Sequence, residues 1–263
     1  MSQIDRIIRL FPEGGPTKPA PEVVAKICAI DDAIRGTRTD LEEILKELED
    51  TNRDSWSIGS ELSWNNFDGT PFARFPEHDD GEYTELKTLL EIHRARYQTV
   101  AQIFVNQSAT VEDGGLKTFA RAKKKLNRRR ELGRANHCPD LSRVRLVVPG
   151  LAGLDRTRDR LLRQMPLQQV GNFNHYSVNI GKKYPTPFRG VLMNWCGLDE
   201  KNASDQIATE VQLVTERVRA IMDLDHPFNV ARVLQYPDEE TLDYVYNLML
   251  KASILDFQER FAV

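Results

Sequence analysis

Two segments of this chain, PDLSRVRLVV at 139–148 and IATEVQLVT at 207–215, alternate polar and apolar positions with a period of two. That period belongs to a strand, whose successive side chains leave opposite faces of a sheet; a helical face repeats about every 3.6 residues instead. In the second segment Ile207, Thr209, Val211 and Leu213 share one face, and Ala208, Glu210, Gln212 and Val214 share the other. In the first, Arg143 and Arg145 share a face, and the acid Asp140 stands just before the apolar run. The chain must therefore build a sheet with one side against an apolar layer and charge on the other.

Helical patterns surround these strands. Residues 21–35 carry Val23, Val24, Ile27, Ala29 and Ile30 at mostly helical spacing, with Pro21 in the first turn and Gly36 just past the end. Thr39-Asp40 is expected to cap the next helix, LEEILKELED. Residues 51–80, with Trp56, Trp64, Pro71 and Pro76 among polar positions, predict loop. Leu86, Leu89, Leu90, Ile92, Tyr97, Val100, Ile103 and Phe104 predict a long amphipathic helix over 82–106, and Asp113-Gly114-Gly115 separates it from a second helix over about 116–132.

Gly150 leads into a further helix, LAGLDRTRDRLLRQM. Three strands are then predicted near 175–180, 190–196 and 206–214, followed by helices over about 216–225 and 239–261. This order predicts an α+β fold, a mixed β-sheet flanked by helices. Its expected parts are a helical N-terminal extension with a loop-rich segment (1–110), a core (111–230) and a C-terminal helix (231–263). Leu242, Val245, Leu248, Ala252 and Leu255 mark a stripe on that last helix for packing in cis or between subunits.

The formal net charge of -3 exerts no global pull toward nucleic acid, so any site for a polyanion must be local. Between Lys117 and Arg134 there are nine Lys or Arg residues and one acid, Glu131. On a helix, Lys117, Arg121, Lys124, Lys125 and Arg128 fall on one side, and Leu116, Phe119, Ala122 and Leu126 on the other. A basic stripe of this kind can neutralise a polyphosphate or an RNA backbone, or simply be a solvated face. Asp140 and Glu210 offer hard oxygen ligands for Mg²⁺, or, more plainly, a strand-end cap and a surface ion pair. Cys28, Cys138 and Cys196 are odd in number and widely spaced, which predicts no disulfide framework and a cytoplasmic protein; His137-Cys138 lacks zinc-ligand spacing. No apolar run has the length of a membrane span, no membrane partner is expected, and MSQIDRIIRLFPEGG is a poor signal peptide.

The motifs taken together resemble the RelA/SpoT-like alarmone synthetases. GLKTFARAKKKL is similar to their Lys-x-x-x-x-x-x-x-Lys-Leu helix through Lys117 and Lys125. DLSRVR resembles Asp-x-x-Gly-x-Arg through Asp140 and Arg145, and TPFRG resembles their Tyr-Arg-Gly loop through Phe188 and Arg189. TEVQLVT resembles Glu-x-Gln-x-x-Thr through Glu210, Gln212 and Thr215, and Asp225-His226 falls where the family has Glu-His. These matches span about residues 115–228.

The resemblance implies a nucleotidyltransferase-like synthetase core and a Mg²⁺-dependent pyrophosphokinase. In that family ATP donates its β,γ-pyrophosphate to a ribose 3′-hydroxyl of a guanosine nucleotide, as in alarmone (ppGpp) synthesis in the stringent response. In related toxins the acceptor is the 3′ end of tRNA. By the same resemblance Lys117, Arg121, Lys125 and Arg145 bind ATP, Asp140 and Glu210 hold the metal or act in catalysis, and Phe188, Arg189, Gln212 and His226 meet the acceptor. A homo-oligomer or an antitoxin is the partner implied. Four positions depart from the pattern: Gly115 replaces an arginine, Arg143 a glycine, Phe188 a tyrosine, and Leu192 stands near an absent histidine. A rival expectation is thus a catalytically degenerate module that binds nucleotide or RNA. His78-Asp79 stands without the other ligands of an alarmone hydrolase, so hydrolysis is not expected.

Overall fold

In the computed structural model the two alternating segments lie side by side and parallel, Ser142 beside Thr209 through to Val148 beside Thr215. The structure describes residues 19–52, 109–118, 120, 142–164, 168–174, 189–196, 209–231 and 239–261, with helical positions scattered between 87 and 102. Strand β1 is Thr110–Leu116, β2 Ser142–Val148, β3 Gln168–Asn174, β4 Val191–Cys196 and β5 Thr209–Thr215. They form a sheet in the order β1-β2-β5-β4-β3, in which only the central β2–β5 pair is parallel. Parallel neighbours need a long crossover, and α3 (Leu151–Gln164), β3 and β4 supply it. The architecture is the predicted α+β one.

Five helices are delimited among the described residues: α1 (Pro21–Ala33), α2 (Arg38–Thr51), α3, α4 (Glu216–Ala231) and α5 (Glu239–Phe261). Val144, Leu146, Val191, Met193, Val211 and Leu213 point from the sheet into a core completed by Leu41 and Leu45 of α2, Leu154 and Leu161 of α3, and Tyr246, Leu250, Ile254 and Phe257 of α5. A second cluster joins Val147 and Val214 to Ile27 and Ile30 of α1, Val218, Ile221 and Leu224 of α4, and Val245, Leu248, Met249 and Ala252 of α5. Helix α5 therefore contributes to both cores and is wrapped in cis. Its apolar residues go all round, which places it in an interior rather than on a surface.

The structure departs from the sequence expectation at several element ends. Helix α2 is capped by Thr37, not by Thr39-Asp40: the Thr37 side chain accepts from the Asp40 amide, and the Asp40 carboxylate accepts from the Thr37 amide at 2.8 Å. That reciprocal box holds Asp40 below the usual carboxylate range. Helix α4 continues through Pro227 to Ala231. A strand at 168–174 takes the place next to β4, whereas the strand expected at 175–180, most of the basic helix, Trp56, Trp64, His78 and Cys138 lie outside the described residues.

The largest departure is β1. The stretch TVEDGGL, expected to separate two helices, pairs antiparallel with β2. Its register shifts between Asp113 and Leu116, so that Gly114 and Gly115 together face the single residue Arg143. This is a β-bulge, and both glycines are required for different reasons. Gly115 has φ +77° and its amide donates to the Asp113 carboxylate at 2.7 Å. A Cβ on Gly114 would lie 2.7 Å from the Arg143 Cβ and 2.8 Å from its carbonyl carbon and oxygen.

Buried polar pairs tie the helices to this frame. Lys251 of α5 donates to the Asp31 carboxylate at 2.6 Å and to the Asp31 carbonyl at 3.0 Å. Thr215, at the end of β5, accepts from the Val218 amide and so caps α4, while its hydroxyl donates to Asp256 of α5 at 2.5 Å. Arg217 donates to the other Asp256 oxygen at 2.8 Å. Burial nevertheless pushes the Asp256 carboxyl up to about 6, against the lowering effect of Thr215 and Arg217.

Two measurements check these assignments. Gly114→Ala should lower the free energy of unfolding in urea by about 1–3 kcal/mol, because β1 must move off β2. Gly115→Ala has open space but a left-handed backbone, and should lose about 1–2 kcal/mol. For Asp256 the folded pKa lies above the unfolded value, so the native state binds the proton more tightly. Its stabilising contribution is complete below about pH 3.8 and is lost as pH rises through about 6. The stability difference between wild type and Asp256→Asn should therefore shift against wild type by roughly 3 kcal/mol between pH 3.8 and pH 6 in denaturation series.

Candidate active site

The face of β2 and β5 turned away from the α2–α3–α5 core changes character along the strands. At its far end Val147 and Val214 are covered by α1 and α4. At its near end the register sets Arg143 beside Glu210 and Arg145 beside Gln212, with Glu112 of β1 next to Arg145. On the other side of β5, Leu192 and Asn194 of β4 stand opposite Gln212 and Glu210. Charged and amide side chains are thus brought together across adjacent strands by the alternation seen in the sequence.

Their hydrogen bonds form a chain. The Arg145 guanidinium donates from Nε and Nη2 to Gln212 Oε1 at 3.2 and 3.1 Å, and Gln212 Nε2 donates to Glu210 Oε1 at 2.7 Å. Arg145 also reaches Glu112 Oε2 at 3.4 Å, and Arg219 of α4 donates to that same oxygen at 2.6 Å while pairing with Asp223. Burial first, then the neighbouring guanidiniums of Arg219 and Arg143, hold Arg145 below the usual arginine range. Burial opposes the rise at Arg219, where the bonds to Asp223 and Glu112 prevail. Glu210 is 9% exposed and Gln212 7%, so the carboxylate lies at the floor of the face with its orientation fixed by an amide.

This geometry gathers Arg145, Gln212 and Glu210 from the expected site. It adds Glu112 and Arg219, which the sequence reading does not single out: Glu112 belongs to the unforeseen strand, and Arg219 reaches the face only because Thr215 starts α4 where it does. Lys117 follows β1 directly and is partly buried. His226 lies on α4, with only its backbone described. Asp140, Arg121, Lys125 and Phe188 lie outside the described residues.

Arg189 requires a correction. It precedes β4 with the parity of Val191 and Met193, which point into the α2–α3–α5 core, so it stands on the opposite side of the sheet from Glu210. Its side chain is 0% exposed, donating to Ser253 Oγ at 3.1 Å and to Glu49 Oε1 at 2.5 Å. A guanidinium without exposed surface joins α2 to α5 and has no surface for a substrate. Burial pushes the Glu49 carboxyl up while Arg189 pulls it down. A cavity of about 500 Å³ bounded by Gln98, Thr99, Gln102 and Val111 borders β1 on the side away from Glu112. No described helix is long and apolar enough to cross a membrane.

Glu49→Ala would take a carboxylate from the buried Arg189 guanidinium and should lower the unfolding free energy by about 3 kcal/mol, measured by urea denaturation. Glu49→Gln, which retains an acceptor, should lose clearly less.

No protein-family model and no curated protein sequence matches the chain. Solved structures do. The small alarmone synthetase 1 of Bacillus subtilis bound to its product pppGpp superimposes with TM-score 0.52 at 13% identity, covering 69% of this chain and 96% of that one. A GTP pyrophosphokinase family protein from Streptococcus pneumoniae gives TM-score 0.53 at 16% identity, covering 68% and 91%. The chain therefore has the fold of the small alarmone synthetases.

Proposed function

We propose that this chain is a Mg²⁺-dependent pyrophosphokinase that transfers the β,γ-pyrophosphate of ATP to the ribose 3′-hydroxyl of a guanosine nucleotide. The observation that carries the reading is the hydrogen-bonded row Arg145–Gln212–Glu210 on the polar face of the central parallel pair, in a chain with the alarmone synthetase fold. Phosphoryl-type transfer needs positioned cations and a carboxylate more than a covalent nucleophile. Both kinds of group are present here, on rigid strands.

A Mg²⁺ site fits the donor chemistry. Glu210 is a hard oxygen ligand whose carboxylate is already oriented by Gln212, and in the sequence Asp140 stands two positions before Ser142, the residue paired with Thr209. Among the described residues no three metal-ligating side chains converge. Mg²⁺ does not require three, since it is commonly held by one or two carboxylates with water and substrate phosphate completing its shell. When bound, the ion would neutralise charge on the transferring group.

The protein's own groups have distinct tasks in this reading. Arg145 would lie along the donor phosphates, its position fixed by Gln212 and by Glu112. Lys117, with Arg121 and Lys125, would extend the cationic surface. Glu210 would either share the metal or take the proton of the attacking hydroxyl, and Phe188 would stack on the acceptor base, for which a phenyl ring suffices. A tRNA 3′ end is the alternative acceptor, favoured by the nine Lys or Arg residues between Lys117 and Arg134. Binding of tRNA would weaken steeply with salt.

The test is transfer from labelled ATP to GDP, GTP or deacylated tRNA. Wild type should label one of them, and Glu210→Gln should reduce the rate by at least about 100-fold with an unchanged far-UV circular dichroism spectrum. Normal Mg-ATP binding without transfer to any acceptor would replace this reading with that of a nucleotide-binding module.

A further inference from the structure

Arg143 stands at the centre of the polar face, in the position where the resembling strand pattern carries glycine. Three independent observations single it out. Its Cα partner across the parallel ladder is Glu210, so it rises beside the proposed catalytic carboxylate. Among the described residues its Nε is buried with no hydrogen-bond partner. And β1 bulges at Gly114-Gly115 exactly opposite it, with no room for a Cβ at Gly114.

A buried guanidinium N–H without an acceptor is unfavourable, and in a native structure such a group calls for a reason, a functional role or a bound ion among them. The nearby cations sharpen the point. Arg145 is already bonded to Gln212 and Glu112, and Arg219 to Glu112 and Asp223. Arg143 adds a third guanidinium, close enough to Arg145 to weigh against its protonation. Of these three guanidiniums Arg143 is the one whose Nε has no acceptor among the described residues, and a guanidinium presents Nε and Nη as a fork matched to two phosphate oxygens. A bulge beside a functional site re-aims the facing side chain. Here the glycine pair lets β1 pass close to the Arg143 backbone while its side chain stays over the face.

We infer that Arg143 is a phosphate-contacting residue, an additional cation that grips the polyphosphate of the bound nucleotide beside Glu210. The inference rests on the proposed reading of this face as a phosphate site. It replaces the view of Arg143 as a mere loss from the motif: a strand centre usually left open by glycine here provides a charge instead.

Calorimetric titration of inorganic tripolyphosphate, and separately of Mg-ATP, into wild type, Arg143→Met, Arg143→Lys and Arg143→Gly tests it. Tripolyphosphate should bind wild type, and the dissociation constant should rise about ten- to a hundredfold in Arg143→Met and Arg143→Gly and less in Arg143→Lys, with melting temperatures showing each variant folded. Absence of tripolyphosphate binding by wild type overturns the inference, as does equal binding by the variants. Tighter binding by Arg143→Gly would show instead that the side chain obstructs the site. The two proposals fail separately: Arg143-dependent tripolyphosphate binding without transfer defeats only the pyrophosphokinase reading, and transfer with unchanged binding in Arg143→Met defeats only this one.

Discussion

The in-register parallel pairing of β2 with β5 is the constraint on which the molecule depends. Because side chains alternate along each strand, one register assigns Val144, Leu146, Val211 and Leu213 to a dry core and Arg143, Arg145, Glu210 and Gln212 to the other side. A slip by one residue would exchange the two sets and bury the guanidiniums. Apolar packing therefore positions the polar row as strictly as any hydrogen bond within it. The parallel arrangement also obliges the chain to travel through α3, β3 and β4 before returning, which puts β4 beside β5 and Leu192 and Asn194 at the border of the face.

Electrostatic balance explains the internal order of that face. Glu112 serves two guanidiniums through one oxygen, and Gln212 joins Arg145 to Glu210 by accepting from the one and donating to the other. An amide can accept from a cation and donate to a carboxylate at once, so it holds both in position. The face is thus neither a closed salt-bridge network nor an unordered set of charges. Arg145 and Arg219 are anchored on Glu112 at one edge, and Glu210 is oriented by Gln212 further in.

What could be read from the sequence was what periodicity encodes. SRVRLVV and TEVQLVT assign their own faces, and the pairing of Arg145, Gln212 and Glu210 follows once they lie adjacent. TVEDGGL could not be recognised in this way, since acids and paired glycines are poor strand formers and the strand exists through its pairing with β2 and its bulge. QQVGNFN hides β3 for a similar reason, with polar positions and an interrupting Gly171. Arg189 failed as a substrate residue because a motif specifies residue type and spacing but not which side of the sheet the chain arrives on. Glu112 and Arg219 were invisible because they are distant in sequence and meet only through tertiary structure.

Helix α5 has a consequence for how the fold is assembled. It supplies Tyr246, Leu250, Ile254 and Phe257 to one core and Val245, Leu248, Met249 and Ala252 to the other, and it follows all five described strands in the sequence. During vectorial synthesis the sheet and its earlier helices emerge before the element that seals both of their apolar surfaces. Neither core can close until α5 has been made, so the apolar surfaces of the sheet remain uncovered on that side for the interval.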